Sequence, residues 1–282
     1  MAMLKIGLAQ TRQTSDFDIN AETIFRFLDL AAQSGVQIVC FPETQTVGYR
    51  ADITAADAPV PVEKLDELHK VIADSCGRLG IACVLGTEVP QESDPHGAKP
   101  YNSTIVISEK GTILGTHHKT RLTPLDAVAY TPGSTFETYE LFGVTVGVVI
   151  CVEGFRFAES TRECVRQGAQ LVFHPQNNTT RPNDWKIPIH HAMIVTRAAE
   201  NTIWFASCNA CLDHQNSCSL IVAPNGRIQA QSELKREELV TSEIDIDRAT
   251  RAMFRFDLES CAEVLFGDTV DREEFASILP IA

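Results

Sequence analysis

No stretch of the sequence approaches the roughly 18 uninterrupted apolar residues that a membrane-spanning helix requires. Runs of Lys and Arg are also absent, and the formal net charge of -13 disfavours attraction to a phosphate backbone. The composition is not that of a disordered chain, because hydrophobic residues make up 44% of it and charged residues only 22%. These absences argue against membrane and nucleic acid as partners and predict a globular protein.

The short, regularly spaced set of cysteines that marks a secreted disulfide scaffold is missing as well. The nine cysteines are an odd number spread over a long chain. Several of them, including Cys40 and Cys83, lie inside apolar runs, where a thiol behaves as a small buried hydrophobe. We therefore predict a reducing, cytoplasmic location.

Linkers, internal repeats and low-complexity tracts are not found either. Residues 1–282 are therefore predicted to form a single domain. The last part of the chain, from about residue 257, is only loosely patterned, and we predict that it is a tail that contacts another subunit.

Apolar runs rich in β-branched residues alternate along the chain with amphipathic helical patterns, and this alternation predicts an α/β layered fold. Turn signals near Gly111, Gly143 and Gly226 predict hairpins, and hence mixed rather than purely parallel sheets. The predicted strands are 4–9, 36–41, 81–85, 103–107, 144–150, 171–173, 202–207 and, more weakly, 219–223. The predicted helices are 21–34, 62–79, 158–167 and 184–201.

Three strands end at a residue that can take part in catalysis. The second strand stops at Pro42, which cannot donate to a β-ladder, and is followed by Glu43. Another apolar run ends at Lys119, and the strand 144–150 runs directly into Cys151, which precedes a helical segment. Ligands of α/β sheets collect at the carboxyl ends of strands, so these side chains are predicted to share one cleft.

A thiol, a carboxylate and an ammonium group in one cleft form a nucleophilic site. The carboxylate can take the thiol proton, because thiolate rather than thiol attacks a carbonyl or nitrile carbon. Lys119 and the backbone N–H of Val152 would then face the developing oxyanion, where losing one donor typically costs about 3–4 kcal/mol of barrier. Lys119 also offsets the charge of Glu43 away from bulk water.

Three segments, in this order, resemble the motif blocks of the nitrilase superfamily of carbon–nitrogen hydrolases. They are Phe41-Pro42-Glu43, Lys119-Thr120-Arg121-Leu122 and Gly147-Val148-Val149-Ile150-Cys151-Val152-Glu153. The resemblance extends across nearly the whole chain, through Gly7-Leu8-Ala9-Gln10, Arg197-Ala198-Ala199-Glu200-Asn201 and Pro224-Asn225-Gly226.

The resemblance implies a four-layer α-β-β-α sandwich with two mixed β-sheets, assembled as a homodimer or larger homo-oligomer. It implies that Glu43 is general base and acid, that Lys119 stabilises the oxyanion, and that Cys151 is the nucleophile. No metal or organic cofactor is implied. The implied reaction is hydrolysis of a small amide or N-carbamoyl substrate through a thioester, which releases ammonia or an amine; nitrile hydrolysis is the alternative.

Further residues are predicted to support the site or bind the substrate. Asp126 stands where the family commonly has a second glutamate, and its shorter side chain is predicted to orient Lys119 or the water. Glu153 is predicted to shape the pocket. The polar loop that contains His174, Gln176 and Asn177 is predicted to line the pocket, although an ordinary surface loop would have a similar composition.

Two other functions are compatible with parts of the sequence. Cys208, Cys211, His214 and Cys218 could supply four zinc ligands, but their spacing is tighter than in common zinc units. A non-catalytic binding or scaffold protein could keep the same fold. It would need none of the three predicted catalytic side chains, so the sequence favours the hydrolase.

Overall fold

The structure is a computed structural model, and it describes residues 3–50, 52–179 and 185–255. The predicted tail from about residue 257 lies outside the described residues. Within the described part of the chain, no helix is both long enough and apolar enough to cross a membrane.

Two six-stranded sheets form the centre of the molecule. The order of strands is β12-β1-β2-β3-β4-β5 in the first sheet and β11-β10-β9-β8-β7-β6 in the second. The first sheet consists of β1 (Met3–Gln10), β2 (Ile38–Cys40), β3 (Ala82–Val89), β4 (Tyr101–Ile107), β5 (Ile113–His118) and β12 (Glu238–Asp245). The second consists of β6 (Thr138–Leu141), β7 (Val144–Val148), β8 (Leu171–Gln176), β9 (Trp204–Asn209), β10 (Leu220–Val222) and β11 (Ile228–Gln231).

Both sheets are mixed, as predicted. The strands β1, β2 and β3 are parallel to one another, as are β7, β8 and β9, whereas the outer pairs are antiparallel. The three predicted hairpins join β4 to β5, β6 to β7 and β10 to β11. Gly111, Gly143 and Gly226 all have positive φ there, which a glycine adopts without steric cost.

Helices cover the outer faces of both sheets. The helices are α1 (Phe17–Gln33), α2 (Val62–Leu79), α3 (Asp126–Ala129), α4 (Val152–Arg156), α5 (Ala158–Arg166), α6 (Lys186–Ala199) and α7 (Ala252–Arg255). One apolar cluster fills the space between the sheets, a second lies between the first sheet and α1 and α2, and a third between the second sheet and α5 and α6. The architecture is therefore the predicted α-β-β-α sandwich.

Local chemistry explains where these helices begin and end. The Asp16 carboxylate accepts hydrogen bonds from the first-turn N–H groups of Asp18 and Ile19, so α1 begins four residues before its predicted start. The helix α2 has its predicted limits and ends at Gly80, which is left-handed with φ 67°. Burying one Leu or Ile of such a helix contributes about 1.5–3 kcal/mol to stability.

Three edge strands were not among the predicted ones: β6, β11 and β12. The strand β12 pairs with β1 over eight residues, yet only Val240 and Ile244 of its side chains are buried. An edge strand with so few buried positions lacks a strong apolar pattern, and charged residues such as Glu243 interrupt its apolar ones.

Candidate active site

Glu43 lies just beyond the end of β2, on a segment that crosses closely over β3. A Cβ atom at Gly86 would lie 1.9 Å from the carbonyl oxygen of Pro42, so only glycine fits beneath this segment. Thr44, which follows Glu43, has a positive φ of 51°. This tight passage places the Glu43 carboxylate in the interior, where it is 0% exposed.

Lys119 follows the end of β5 and is completely buried. Its backbone is fixed on both sides, because its N–H donates to the Asn102 carbonyl and its own carbonyl accepts from the N–H of Gly133. Its Nζ donates to Glu43 Oε1 at 2.6 Å and to Asp126 Oδ2 at 2.9 Å. The ammonium is therefore held between two buried carboxylates rather than in solvent, which is the usual environment of a lysine.

Cys151 occupies a sharp turn between β7 and α4. Its backbone has φ 48° and ψ -110°, a conformation that costs a non-glycine residue on the order of 1–3 kcal/mol and that is typical of functional positions. Its N–H donates to the Pro175 carbonyl at 2.9 Å, which anchors the turn to the neighbouring strand β8. The residue as a whole is half-buried, whereas the cysteines inside the sheets are fully buried.

The Cys151 thiol lies close enough to the carboxylate of Glu43 for each to affect the titration of the site. Burial raises the pKa of the Cys151 thiol well above its usual range, and the charge of Glu43 raises it further, against the lowering effect of Lys119. Burial also raises the pKa of Glu43, although Lys119 opposes that shift. Cys151 is therefore a neutral thiol at rest, and it would need a base next to it to become a nucleophilic thiolate.

The pKa of Lys119 is well above its usual range. Burial alone would lower it, but the neighbouring carboxylates of Glu43 and Asp126 outweigh that effect. Lys119 is consequently a fixed cation in this site and cannot act as a base.

Asp126 is close to Lys119, as predicted from its sequence position. It is the first residue of α3, and its Oδ2 also accepts hydrogen bonds from the N–H and Oγ1 of Thr123, both at 2.9 Å. The hydroxyl of Tyr49 donates to Asp126 Oδ1 at 2.6 Å. Burial would raise the pKa of Asp126, but Lys119 and these donors lower it, so the carboxylate stays ionised.

Glu43 has partners that the sequence did not indicate. The side-chain amide of Asn102 donates to Glu43 Oε1 at 2.7 Å, and the side-chain amide of Gln13 donates to the Glu43 carbonyl at 2.6 Å. The backbone N–H of Asn177 donates to Glu43 Oε2 at 2.8 Å. Both carboxylate oxygens are thus fixed by donors from three different parts of the chain.

Glu153 joins the nucleophile turn to the segment after Lys119. Its Oε2 accepts from the N–H of Ile150 at 2.6 Å and from His117 Nε2 at 2.9 Å. Its Oε1 accepts from the N–H of Thr120 at 2.6 Å and from the Thr120 hydroxyl at 2.8 Å. The carboxylate is completely buried, yet His117 and the backbone donors lower its pKa against the effect of burial. Its contacts are structural, and they lie beside the catalytic groups.

The polar residues at the end of β8 point to opposite sides of the second sheet. His174 and Gln176 both contact Ser207 on the side that faces the helices, at 2.9 and 2.7 Å. The side-chain amide of Asn177 instead donates to Gln13 Oε1 at 2.6 Å, beside Glu43. Of the three residues predicted to line the pocket, only Asn177 therefore contacts Glu43.

The cysteines of the alternative zinc site are not arranged as a ligand set. The thiol of Cys208 lies in the core between the two sheets and donates to the Cys40 carbonyl at 3.2 Å. In the part of the chain that the structure describes, no group of three or more His, Cys, Asp or Glu side chains is placed to hold a metal ion.

Comparison with known proteins assigns almost the whole chain to one family. A family model described as carbon-nitrogen hydrolase matches residues 5–253. Omega-amidase NIT2 of Xenopus tropicalis is 28% identical over 264 residues, which cover 88% of this chain and 90% of that protein. A nitrilase of Pyrococcus abyssi is 26% identical over 252 residues, which cover 86% of this chain and 90% of the relative.

Solved structures share the fold. An amidase from Nesterenkonia sp. AN1, with the acetamide moiety of fluoroacetamide bound covalently to its active-site cysteine, has a TM-score of 0.75 and 20% identity, covering 98% of this chain and 97% of its own. The same amidase with its cysteine replaced by alanine, in complex with butyramide, has a TM-score of 0.75 and 22% identity, covering 90% of this chain and 96% of its own.

Proposed function

Because this chain belongs to the carbon–nitrogen hydrolase family, we propose that it hydrolyses a small, non-peptide amide through a thioester on Cys151. The observation that carries the proposal is the buried cluster of Glu43, Lys119 and Asp126 next to the strained nucleophile turn. The cluster supplies a base beside the thiol and a cation that cannot lose its charge. A scaffold protein would have no use for this combination.

The first half of the reaction forms the thioester. Glu43 takes the proton of the Cys151 thiol, and the sulfur attacks the amide carbon, so that a C–S bond forms and the carbonyl oxygen becomes an oxyanion. Lys119 Nζ and the backbone N–H of Val152 stabilise this charge. Glu43 then returns the proton to the amide nitrogen, the C–N bond breaks, and ammonia or an amine leaves.

The second half of the reaction regenerates the enzyme. Glu43 takes a proton from a water molecule, the resulting hydroxide attacks the thioester carbon, and the same two donors stabilise the second oxyanion. The C–S bond breaks, the carboxylic acid leaves, and the sulfur regains the proton from Glu43. Asp126 takes part by keeping Lys119 charged and in place throughout both halves.

Asn177 supports an amide rather than a nitrile as the substrate. Gln13 donates through its Nε2 to a carbonyl, so its Oε1 must accept, and the atom that donates to it must be Nδ2 of Asn177. This fixes Asn177 Oδ1 as an acceptor, and it is buried with no donor among the residues that the structure describes. We assign to it an N–H of the substrate amide. A nitrile carries no N–H, whereas amides and N-carbamoyl compounds do.

We also propose that the enzyme is a cytoplasmic homodimer or larger homo-oligomer of single-domain subunits. All eight cysteines among the described residues are free thiols, which fits a reducing compartment. Light scattering coupled to size-exclusion chromatography tests the assembly, and a monomer at all concentrations would contradict it.

The proposed reaction is tested by trapping the intermediate. Wild-type protein is mixed with acetamide, butyramide, N-carbamoyl-β-alanine or butyronitrile, quenched in acid, and analysed by intact mass and peptide mapping, while released ammonia is measured in parallel. We expect an acyl adduct on Cys151 and ammonia release with amides. Cys151→Ala should lose both, whereas Cys218→Ala, which removes another half-buried thiol, should retain both.

Each other outcome identifies a different error. An adduct on another cysteine would contradict Cys151 as the nucleophile. Turnover of the nitrile alone would replace the amide with the nitrile as substrate class. Neither adduct nor ammonia from any compound would favour the scaffold alternative.

A further inference from the structure

The backbone of the strained turn at Cys151 accepts a hydrogen bond from a buried histidine. The carbonyl oxygen of Cys151 is 2.8 Å from His174 Nε2, closer than the N–H groups of Gly154 and Phe155, which donate to the same oxygen at 3.0 and 3.3 Å. His174 comes from the neighbouring strand β8 and is 0% exposed. It lies on the helix-facing side of the sheet, so it acts through the backbone of Cys151 and not on the substrate.

The donor and acceptor roles of the atoms around His174 can be deduced one after another. A carbonyl oxygen can only accept, so His174 Nε2 carries a hydrogen. The imidazole is neutral, because burial lowers the pKa of His174 to about 4, and Nδ1 therefore accepts. The partner of Nδ1 is the Ser207 hydroxyl at 2.9 Å, which must donate, and that hydroxyl accepts in turn from Gln176 Nε2 at 2.7 Å.

The ring cannot turn to a different arrangement. Phe155 contacts it edge-on, with ring centroids 4.8 Å apart, and Phe205 lies against it at 5.4 Å. A Cβ atom at Gly154 would come within 2.7 Å of the imidazole, so the glycine allows this close approach. Packing and hydrogen bonding together leave one orientation and one tautomer.

We propose that His174 is a positioning residue, which keeps the Cys151 turn in its reactive backbone conformation through the relay Gln176–Ser207–His174. The relay ends on the carbonyl of the nucleophile itself, so its loss lets the strained turn relax and moves the sulfur away from Glu43. The proposal rests on the proposed function for its role in turnover. The reactivity of the Cys151 thiol depends on the same geometry and can be measured independently of any substrate.

The test compares His174→Gln with His174→Leu. The amide nitrogen of glutamine can replace Nε2 as the donor to Cys151, whereas leucine of similar size cannot donate. We expect His174→Leu to lower kcat and the rate of Cys151 alkylation by iodoacetamide by roughly 10- to 100-fold, with KM within about twofold. His174→Gln should recover most of both rates.

A third variant and unfolding measurements distinguish a local effect on the turn from a folding defect. Ser207→Ala leaves the imidazole in place but removes the group that fixes its tautomer, and it should lower both rates by a smaller factor. Thermal unfolding of all variants shows that the alkylated species is folded. Wild-type alkylation rates in His174→Leu and Ser207→Ala, or equal losses in His174→Gln and His174→Leu, would overturn the proposal. If no substrate is turned over at all, the alkylation rates still decide it.

Discussion

The hydroxyl of Tyr49 donates to Asp126 Oδ1 at 2.6 Å, and the ring of the same tyrosine lies 5.9 Å from Lys119 Nζ. Tyr49 thereby holds the Asp126 carboxylate in place, and that carboxylate in turn holds Lys119. An aspartate is one methylene shorter than the glutamate that the family commonly has here, yet Asp126 still reaches Lys119 at 2.9 Å. Tyr49 and Thr123 hold it there from the other sides.

Tyr49→Phe should therefore slow turnover without abolishing it. A hydrogen bond to a charged group contributes about 1.5–3 kcal/mol, which corresponds to a loss in kcat on the order of 10- to 100-fold if it acts in the transition state. Steady-state kinetics with an amide that the trapping experiment shows to be turned over give the value. Tyr130→Phe is the matched control, because its ring stacks on Tyr49 while its hydroxyl contacts the N–H of Arg50 instead of Asp126. Equal losses in both variants would contradict the role of the Tyr49 hydroxyl.

Asp126→Asn should have a larger effect than Tyr49→Phe. The change removes one of the two carboxylates that raise the pKa of Lys119, and it also removes a charge that raises the pKa of Glu43, which becomes a weaker base. Losses from a single electrostatic group in an oxyanion site are typically about 100- to 1000-fold in kcat. KM should change by no more than about threefold, because Asp126 acts through Lys119. Wild-type kcat in this variant would remove Asp126 from the mechanism.

The sequence indicates the residues of this site that follow a recognisable strand. It does not indicate those that reach the site from distant positions in the chain. Glu43, Lys119 and Cys151 each follow an apolar strand that is recognisable on its own, so the sequence indicates all three as candidates. Asn102 and Gln13 could not, because they contact Glu43 from 59 and 30 residues away and each looks like an ordinary polar residue. Only the pairing of strands within the folded sheets brings them together.

The fold, like the site, could be predicted where the sequence carries a strong local pattern and not elsewhere. The central parallel strands are buried on both faces, so their apolar runs were recognisable, with limits a few residues in error. The strand β7 ends at Val148 and not at residue 150, because the chain bends towards Cys151 there while Val149 N–H still bonds to β8. His174 and Gln176 were assigned by sequence to the pocket rim, but the alternation of β8 directs both towards Ser207.

Glu153→Gln should destabilise the protein more than a typical polar substitution. Each oxygen of Glu153 accepts at least two hydrogen bonds, and an amide nitrogen in place of either one would face donors. Each buried donor that loses its acceptor costs about 1–3 kcal/mol, and more where the acceptor was charged. Urea unfolding monitored by tryptophan fluorescence measures the loss. Glu200→Gln removes a carboxylate from a partly exposed pair with Arg197 and should cost no more than about 1 kcal/mol. A loss for Glu153→Gln as small as the control's would show that its contacts contribute little.

The stability of the protein should fall as the pH is lowered from about 6.5 towards 4, because two histidines are held neutral in the fold. Burial lowers the pKa of His174 and of His69 to about 4, whereas in the unfolded chain both have the ordinary value near 6.5. Between these values the unfolded state binds more protons than the folded state, so acid favours unfolding. The pKa shift of His174 corresponds to about 3 kcal/mol at pH 4. That of His69, which is only half-buried, corresponds to less.

The contribution of each histidine to the pH dependence of stability is obtained by comparing wild type with a variant that lacks that histidine. Urea unfolding of wild type, His174→Gln and His69→Gln at pH 7.5, 6.5, 5.5 and 4.5 gives the free energy of unfolding for each protein. The carboxylates, including Glu43 with its raised pKa, titrate in all three proteins and cancel in the comparison. We expect the stability of wild type relative to each variant to be constant above about pH 6.5 and to decline below it. A difference that stays flat down to pH 4.5 would mean that the imidazole can take up a proton inside the fold at no greater cost than in water.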